Sequence, residues 1–413
     1  MRFTELFTKT RKEAPGDEES VNAQLLIRAG FVHKEMAGVY SFLPLGLRVL
    51  NNIIQIIREE MNAIGGQELF LASLQNPELW EKSKRWDDKV VDIWFKTALK
   101  SGGEVGLANT HEEPLTELMK NHVSSYKDLP VFPYQFQTKF RNELRAKGGL
   151  LRTREFVMKD LYSFCKNQEE HDAFYQKAKE AYLNVFKRVG LEKQTVYTFA
   201  SGGSFSKYSH EFQTLCESGE DTIFLCEKCR VAVNREIIKE VGACPECKSK
   251  DLQEERAIEV GNIFGLGTRF SEALKLEFTD EKGKKQPVIM GCYGIGPARV
   301  MGTLVELFHD EKGMNWPRAV SPFALHIVSL EGGELEAEKL YQELQKKEVA
   351  VLFDDRKEVS AGEKLADADL MGMPFRVVVS KKTVEQNAFE VKKRNEEKPQ
   401  MISFEQLLKT VSL

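Results

Sequence analysis

With 413 residues, the chain has room for two or three domains that each bury a core. Its 42% apolar and 30% charged residues are typical of a soluble globular protein, and no apolar run approaches the ~20 residues of a membrane-spanning helix. A net charge of −4 argues against a general nucleic-acid coat protein, although it permits a local basic surface. The N-terminal segment has no apolar signal core, so we expect a cytoplasmic protein.

A long amphipathic helix is predicted at residues 44–64. Pro44 is tolerated in a first helical turn, and the glycine pair that begins at Gly65 stops the helix. Apolar residues recur at three- and four-residue steps and form one stripe, namely Leu47, Leu50, Ile54, Ile57 and Met61. Such a stripe usually packs into a core, but a helix this regular can also serve a dimer interface.

The segment 107–113, LANTHEE, is predicted to be a strand that runs into a helix. Thr110 and Glu113 have the Ser/Thr-x-x-Glu spacing of a capping box, with Pro114 in the first turn. Taken alone, helix capping is the simpler explanation of these residues.

A charged hairpin is predicted at residues 134–160. Residues 134–140 alternate between an apolar and a polar face, and Arg141 and Glu143 continue the polar face. After a turn at 145–149, the return strand aligns on one face Arg152, Arg154, Phe156 and Met158. Guanidinium groups suit phosphate oxygens, and an aromatic plane suits a nucleobase. The equally good alternative at this point is a solvated hairpin with ordinary cross-strand pairs.

Two Cys-x-x-Cys pairs stand fourteen residues apart, and their members are Cys226, Cys229, Cys244 and Cys247. This spacing is close to that of a four-cysteine zinc ribbon, in which each pair places two thiolates on one tight turn. Four sulfur ligands leave no open position for water, so the predicted zinc is structural. Four reduced cysteines in a degenerate ribbon are the alternative.

Residues 290–300, MGCYGIGPARV, form a glycine-rich turn that leads into a helix. Gly294 and Gly296 match the start of a dinucleotide-binding fingerprint, but Arg299 replaces its third glycine and no βαβ unit surrounds it. The pattern instead predicts a strand of small residues that lets backbone approach a ligand, with Arg299 beyond it.

From residue 324 onward, strands and helices alternate, which predicts a compact α/β module of about 90 residues. Asp354, Asp355 and Arg356 fall at the end of a predicted strand, where such folds place binding residues. The module is locally basic at Lys381, Lys382, Lys392, Lys393 and Arg394. A solvated face is the usual role of such lysines.

Together these stretches resemble one family. KFRNE with TREF is similar to motif 2 of class II aminoacyl-tRNA synthetases, GIGPAR to motif 3, and residues 44–68 to motif 1. With NTHEE, MKDLYSF, SHEF and MGCYGIGPAR in this order, the chain resembles bacterial-type prolyl-tRNA synthetases of class IIa. The resemblance implies an α+β fold: a class II catalytic core with a mostly antiparallel sheet (1–221 and 257–320), a zinc-ribbon-like insertion (222–256) and an α/β anticodon-binding domain (321–413).

The resemblance implies a two-step proline–tRNA ligase reaction. Proline's carboxylate attacks the α-phosphate of ATP, and the terminal ribose of the proline tRNA then takes the prolyl group. The catalytic arginines would be Arg141 and Arg299. The ATP-binding residues would be Arg141, Glu143, Arg152, Phe156 and Arg299. The proline-binding residues would be Thr110, Glu112, Arg141, His210 and Cys292.

The remaining ligands and partners also follow from the resemblance. Mg²⁺ would bridge the phosphates, with Glu211 as a candidate ligand, and Zn²⁺ would occupy the ribbon. Contacts to the proline tRNA are assigned to Glu390, Lys392, Lys393 and Arg394. A homodimer is expected, although Ala72 stands where motif 1 usually carries proline.

Only about forty residues, which include the cysteines, lie where many bacterial relatives insert a large editing domain. A pocket shaped for proline cannot strongly reject alanine, because a missing methylene is worth only ~1–3 kcal/mol. We therefore expect no editing of alanyl-tRNA by this chain.

Three alternatives remain at this point. A synthetase-like paralogue that binds tRNA or regulates without aminoacylation would be expected to lose motif arginines, which are present here. A class IIa enzyme for another small amino acid and a zinc-binding module are the other two.

Overall fold

The computed structural model describes residues 1–16, 18–203 and 205–412, so Asp17, Ser204 and Leu413 of the predicted domains lie outside the described residues. The helices are α1 (Val21–Arg28), α2 (Pro44–Ala63), α3 (Pro77–Lys82), α4 (Glu112–Met119), α5 (Gln168–Val189), α6 (Ile238–Val241), α7 (Arg269–Leu274), α8 (Pro297–Leu307), α9 (Glu334–Lys346), α10 (Ala361–Met371), α11 (Lys381–Glu385) and α12 (Phe404–Ser412).

The strands are β1 (Val32–Met36), β2 (Val39–Phe42), β3 (Gln67–Glu68), β4 (Leu74–Gln75), β5 (Phe95–Ala98), β6 (Glu104–Leu107), β7 (Pro133–Phe140), β8 (Glu155–Cys165), β9 (Thr195–Ser201), β10 (Tyr208–Leu215), β11 (Asp221–Cys226), β12 (Val231–Asn234), β13 (Gln253–Gly267), β14 (Glu277–Thr279), β15 (Lys285–Pro287), β16 (Ile289–Ile295), β17 (His309–Asp310), β18 (Gly313–Met314), β19 (Leu325–Ser329), β20 (Val351–Asp354), β21 (Phe375–Val379), β22 (Phe389–Lys393) and β23 (Gln400–Ile402).

The chain divides into two compact units. The first comprises Met1–Met36, Tyr40–Ile53 and Leu304–Leu413, and the second Ala37–Val39 and Ile54–Thr303. These boundaries differ from the predicted 1–221 with 257–320, 222–256 and 321–413. The reason is that the N-terminal segment packs within the first unit: the Met1 ammonium donates to the Val351 carbonyl, and Arg2 pairs with Glu338 at 2.6 Å.

A nine-stranded, mostly antiparallel sheet organises the second unit, in the order β10-β9-β12-β11-β13-β16-β8-β7-β3. Only β9 with β12 and β3 with β7 pair in parallel within this sheet as the structure describes it. Helix α5 packs against β8, β13 and β16 on one face. On the other face, α4 and α7 contribute to an apolar core with alternate residues of β8 and β16, such as Phe164 and Met290. The predicted class II architecture of the sheet is confirmed.

The cysteine segment belongs to this same sheet. Strands β11 and β12 lie between β13 and β9 in the strand order, so residues 222–256 extend the catalytic sheet rather than stand apart from it. The cysteines lie at the end of β11 and in the loops that follow.

The first unit contains the predicted α/β module. Its sheet has the order β20-β19-β21-β22-β23, with the first three strands parallel and the last two antiparallel. Leu325 and Ile327 of β19 pack with α9 and α12, whereas Val328 packs with Ala368 of α10. Alternate residues of one strand therefore fill the two faces, as a sheet covered on both sides requires.

Helix α2 begins at Pro44 as predicted, but its buried stripe is rotated. Leu47 is 45% exposed, and Ile54 is only partly buried. The buried positions are Leu45, Val49, Leu50, Ile53, Ile56, Ile57 and Met61. The apolar residues of this helix cover more than one stripe, so the sequence alone did not fix which of them face the core. Among the described residues, no helix is long and apolar enough to cross a membrane.

Candidate active site

A pocket with a volume of about 160 Å³ opens on the face of the sheet opposite α5. It is lined from β8, β13 and β16, the loop before α4 and the first turn of α8. Six residues predicted from the sequence line it together, namely Thr110, Glu112, Arg141, Phe156, Cys292 and Arg299. Residues separated by up to 189 positions in the chain therefore meet at one cavity.

The hairpin that contributes Arg141 is formed by β7 and β8, with Lys139 opposite Phe156. The polar side chains of β7, Gln135, Gln137 and Lys139, are buried. The alternative of a solvated hairpin is therefore wrong. Met158 lies on the same face as Phe156, as predicted, since both belong to β8 at an interval of two residues.

Arg152 and Arg154 do not share that face, because both precede β8 in irregular chain. Arg154 donates to the Ala37 carbonyl at 2.6 Å. Arg152 pairs with Glu143 at 2.7 Å and with Glu220 at 3.1 Å, and it lines a recess next to the pocket together with Arg141 and Arg299. Both Arg152 contacts to Glu143 involve Oε2.

Arg141 points its guanidinium into the pocket. Its Nε donates to the Asn109 carbonyl at 3.3 Å, and its guanidinium carbon lies 5.3 Å from the ring centre of Phe156. Burial, and then the charge of Arg299, lower the pKa of Arg141. Two guanidinium groups at one cavity form an anion site.

The loop before α4 builds a second corner of the pocket. Thr110 Oγ1 donates to Glu112 Oε2 at 2.5 Å, and the Cys292 thiol donates to Glu112 Oε1 at 3.2 Å. The predicted capping box is wrong: α4 begins at Glu112, and Glu113 instead accepts from Arg85 at 2.9 Å and from Ser83 at 2.7 Å. An internal arginine attracts the carboxylate more strongly than a helix end does.

A buried polar group behind this corner was missed in the sequence. Lys139 Nζ lies 2.5 Å from Asp160 Oδ2 and 2.5 Å from His111 Nδ1. Burial, and then the charge of Lys139, lower the pKa of His111 to about 4, so its neutral ring accepts from Lys139. Asp160 lines the pocket. The alternation of β7 placed Lys139 on this face, but no local pattern reveals its partner twenty-one residues later.

An acidic cluster lies at the other end of the pocket. Arg299 donates to the Glu259 carbonyl at 2.9 Å and lies 3.3 Å from the Glu259 carboxylate. Glu211 is opposite Asn262 in the pairing of β10 with β13, and Gln213 is opposite Glu259. Burial, and then the charge of Glu259, raise the pKa of Glu211 to about 8. The sequence analysis does not identify Glu259, Asn262 or Gln213, because β13 and β10, which carry them, look like ordinary strands in the sequence.

This cluster fits a hard divalent cation. Glu211 Oε2 accepts from Gln213 Nε2 at 2.8 Å and from Asn234 Nδ2 at 3.0 Å. The amide oxygens Gln213 Oε1 and Asn262 Oδ1 are buried without a hydrogen-bond partner in the part of the chain that the structure describes. Mg²⁺ prefers oxygen ligands of this kind.

His210 does not join the pocket. Its Nδ1 forms a hydrogen bond with Tyr175 Oη at 2.6 Å, and its ring stacks on Tyr197 with 4.7 Å between ring centres. Burial lowers its pKa to about 4. The predicted proline contact of His210 is therefore not supported, because adjacent residues of β10 point to opposite faces and Glu211 takes the pocket side.

The four cysteines form a compact cluster. All four sulfur atoms lie within 4.8 Å of one another, with Cys226 and Cys247 at 3.5 Å and Cys229 and Cys244 at 3.4 Å. Four thiolates at 2.3 Å from one zinc ion are about 3.8 Å apart, so the donor set fits tetrahedral zinc.

The basic residues of the first unit have unequal roles. Arg394 is buried and pairs with Asp310 at 2.5 Å, and Lys392 is buried 3.9 Å from Asp369. Lys393 is exposed, with only a surface pair to Glu396, and Glu390 is half-buried. The predicted tRNA contacts of Arg394 and Lys392 are thus not supported. Likewise, Arg356 pairs internally with Asp354 and Asp367.

Two family models match the chain. The tRNA synthetase class II core domain (G, H, P, S and T) matches residues 95–308, and the anticodon binding domain matches residues 325–412.

Among similar curated proteins, a proline–tRNA ligase of Dehalococcoides mccartyi is 32% identical over 563 residues, covering 100% of this chain and 98% of the relative. One of Ehrlichia canis is 36% identical over 428 residues, covering 99% of each chain. About 150 positions of the first alignment have no counterpart in this 413-residue chain.

Solved structures of similar fold include two eukaryotic synthetases. A prolyl-tRNA synthetase from Cryptosporidium parvum, complexed with L-proline and AMP, covers 95% of this chain and 74% of its own at a TM-score of 0.76 and 17% identity. One from Giardia lamblia, in complex with prolyl-adenylate, covers 93% of this chain and 74% of its own, with a TM-score of 0.76 and 18% identity.

Proposed function

The chain belongs to the proline–tRNA ligase family of class II tRNA synthetases, and from this membership we propose that it activates L-proline with ATP and transfers it to the proline tRNA. The observation that carries the proposal is the convergence of Arg141, Arg299, Phe156 and Glu112 on one pocket. An anion site, an aromatic wall and a carboxylate corner are the groups that ATP and the ammonium group of an amino acid need.

For ATP, we assign the aromatic face of Phe156 to the adenine ring and Arg141 to the α-phosphate. Glu143 accepts from the adenine amino group through Oε1, since Arg152 engages Oε2. Arg299 takes the distal phosphates. Charge compensation of this kind is the main help that an attack at phosphorus requires, because the proline carboxylate is itself the nucleophile.

For proline, the secondary ammonium group binds the carboxylate of Glu112, which Thr110 holds from the other side. The Cys292 thiol closes this corner. Arg141 also orients the proline carboxylate, which brings the two reacting groups to the same guanidinium. No protein nucleophile is required in either step.

Mg²⁺ would be held by Glu211 and Glu259 together with the free amide oxygens of Gln213 and Asn262. When bound, the ion neutralises phosphate charge. Zn²⁺ would be held by the four cysteines and would stabilise the ribbon. Metal analysis of the purified protein tests the zinc proposal: about one zinc per chain is expected, and Cys229→Ser should lower it.

The tRNA anticodon would be contacted by Lys393 and Glu390 on the anticodon-binding domain. We further propose a cytoplasmic homodimer. Support for the dimer comes from two exposed apolar side chains on either side of Ala72, Phe70 at 77% and Leu74 at 57% exposure. Light scattering of the wild type and of Phe70→Ser tests it, and a monomeric wild type would refute it.

We also propose that this chain does not hydrolyse alanyl-tRNA, because only about forty residues, which include the cysteines, lie where many bacterial relatives insert a large editing domain. Incubation with preformed alanyl-tRNA tests this proposal. Rapid deacylation that depends on the protein would refute it.

The activity itself is tested by amino-acid-dependent ATP–pyrophosphate exchange. Proline should support exchange, whereas alanine should do so weakly and threonine should not. Exchange with another amino acid but not with proline would refute the substrate. The absence of exchange with all three amino acids would favour a paralogue without aminoacylation activity.

A further inference from the structure

The β11–β12 hairpin connects the cysteine cluster to the nucleotide end of the pocket. At its tip, Cys226 ends β11 and pairs in register with Val231, and Cys229 stands in the connecting turn. Toward its base, Ile223 is opposite Asn234. The two ends are three residues apart along the strands, or ~10 Å.

The base of this hairpin delivers three polar side chains to residues of the proposed site. Asn234 donates to Glu211 Oε2 at 3.0 Å, and Asp221 accepts from Gln213 at 2.7 Å. Glu220, which directly precedes β11, accepts from Arg152 at 3.1 Å. Of these three, Asn234 belongs to the cysteine segment (222–256), which thus contacts the candidate magnesium ligand Glu211 directly.

The contact between Asn234 and Glu211 is the strongest of the three. Both side chains are at least nine-tenths buried, and the acceptor is a carboxylate, which makes a lost bond costly. Gln213 and Asn234 both donate to Oε2, so neither of them engages Oε1. These two donors therefore orient the carboxylate and leave its other oxygen for a ligand.

Only one of the two donors depends on the cysteine segment. Gln213 stands on β10 itself, two residues from Glu211. Asn234 lies just beyond the pairing of β12 with β9, which covers Val231–Val233, so its position follows from the pairing of β12 with β11. The pairing of β12 with β9 stops one residue before Asn234, so a cross-link at the hairpin tip adds to the support that β11 gives this end of β12.

We propose that the four-cysteine ribbon braces the nucleotide site, with Asn234 as the positioning residue through which metal at the cysteines strengthens Mg²⁺-dependent binding of ATP. The proposal rests on the proposed function of Glu211 as a magnesium ligand. It gives the segment that stands in the place of an editing domain a role in the first step of the reaction.

The first test compares three variants in the full chain. Asn234→Ala and the isosteric Asn234→Asp each lose the donor, and the second adds a repelling charge. Arg235→Ala is the matched control, because Arg235 is exposed and its backbone bond to Thr222 persists. ATP binding is measured by equilibrium dialysis across a Mg²⁺ series, alongside exchange kinetics.

We expect Asn234→Ala to weaken ATP binding about tenfold at saturating Mg²⁺, with a larger loss in Asn234→Asp and none in Arg235→Ala. The loss should vanish when Mg²⁺ is omitted, and KM for proline should not change. Asn234→Asp with wild-type ATP affinity would overturn the proposal, because the donor to Glu211 would then be lost without effect on the nucleotide site.

The second test removes the metal. Chelator-stripped wild type and Cys229→Ser should lose ATP affinity to about the same extent as Asn234→Ala, and stripping Asn234→Ala should add little. Additive losses, or a purified protein without metal at the cysteines, would overturn the proposal. Failure of proline-dependent exchange in the metal-loaded wild type would refute the proposed function instead, because the dialysis measurement does not require that reaction.

Discussion

Lys139 and Asp160 form an ion pair in the interior of the second unit, with Nζ 2.5 Å from Oδ2 and neither side chain more than 3% exposed. Gln135 Nε2 donates to the same oxygen at 2.9 Å. Within the described residues, Asp160 Oδ1 is buried without a partner, and Asp160 lines the pocket. Lys139 therefore fixes one oxygen of the carboxylate, which leaves the other for a cationic ligand group.

Replacing Lys139 by methionine should lower the free energy of unfolding by ~3–5 kcal/mol, because Asp160 is then a buried charge without its partner. Urea unfolding followed by circular dichroism measures the loss. The double variant Lys139→Met/Asp160→Leu should recover most of it, since apolar pairs of similar volume replace buried ion pairs well. A single variant within ~1 kcal/mol of the wild type would contradict this account.

Local sequence patterns predicted those helices and strands whose start, end or face is marked by residues within the element itself. Helix α2 begins at Pro44, as its first-turn proline indicated, and the left-handed Gly65 follows its end. The alternation of β7 and the spacing of Arg141 in its motif were similarly readable. In each case the information lies within a few residues of the feature.

Contacts between residues on neighbouring strands could not be predicted from the sequence, because the pairing register of each strand depends on the whole sheet. Asp160 and Glu259 look like ordinary charged residues in the sequence, and only the pairings of β8 and β13 bring them to the pocket. The alternation of side chains between the two faces of a strand also explains which predicted contacts are not supported. His210 beside Glu211 must face away from it, and Lys392 and Arg394 share the buried face that Lys393 does not.

Arg141→Ala should reduce proline-dependent exchange at least ~100-fold, as expected for loss of a positioned donor at the reacting phosphate. Among the described residues, its side chain makes one long hydrogen bond, to the Asn109 carbonyl, and contacts the face of Phe156, so the fold should persist. Exchange assays and thermal melting measure the two effects. Arg188→Ala is the matched control, because that arginine of α5 pairs with Glu59 and Glu60 at the surface, on the face of the sheet opposite the pocket.

A combined loss of fold and activity in Arg141→Ala would show a structural role. Retained tRNA binding by the folded variant would place the defect in activation of proline.

Lys393→Glu and Arg394→Ala should separate tRNA contact from stability in the anticodon-binding domain. Lys393 is exposed and its surface pair with Glu396 contributes little, so its reversal should weaken tRNA binding, most strongly at low salt, without changing unfolding. Arg394 is buried against Asp310 and the Asp369 carbonyl, so its loss should cost ~1.5–3 kcal/mol of stability. Filter binding and urea unfolding measure the two effects, and the reverse assignment would contradict the buried role of Arg394.

Lys159 should make stability depend on pH. It is fully buried, and its Nζ contacts three neutral groups, Tyr182 Oη at 2.6 Å, the Tyr293 carbonyl at 3.1 Å and Met61 Sδ at 3.4 Å. Burial lowers the pKa of Lys159 to about 7, from the ordinary lysine value of 10.5. Between these two values the unfolded chain binds the extra proton, so the folded state gains stability as pH rises.

Lys159→Met lacks this group, so the free energy of unfolding of the wild type, relative to the variant, should rise by about 2 kcal/mol from pH 7 to pH 9. Urea unfolding of both proteins at the two pH values measures the difference, and other titrating groups cancel between them. Lys177→Met, at an exposed position of α5, is the control, and its free energy of unfolding should differ from that of the wild type by the same amount at both pH values. If the difference between the wild type and Lys159→Met were equal at the two pH values, Lys159 would keep its proton in the folded protein, since only a proton released on folding makes stability depend on pH in this range.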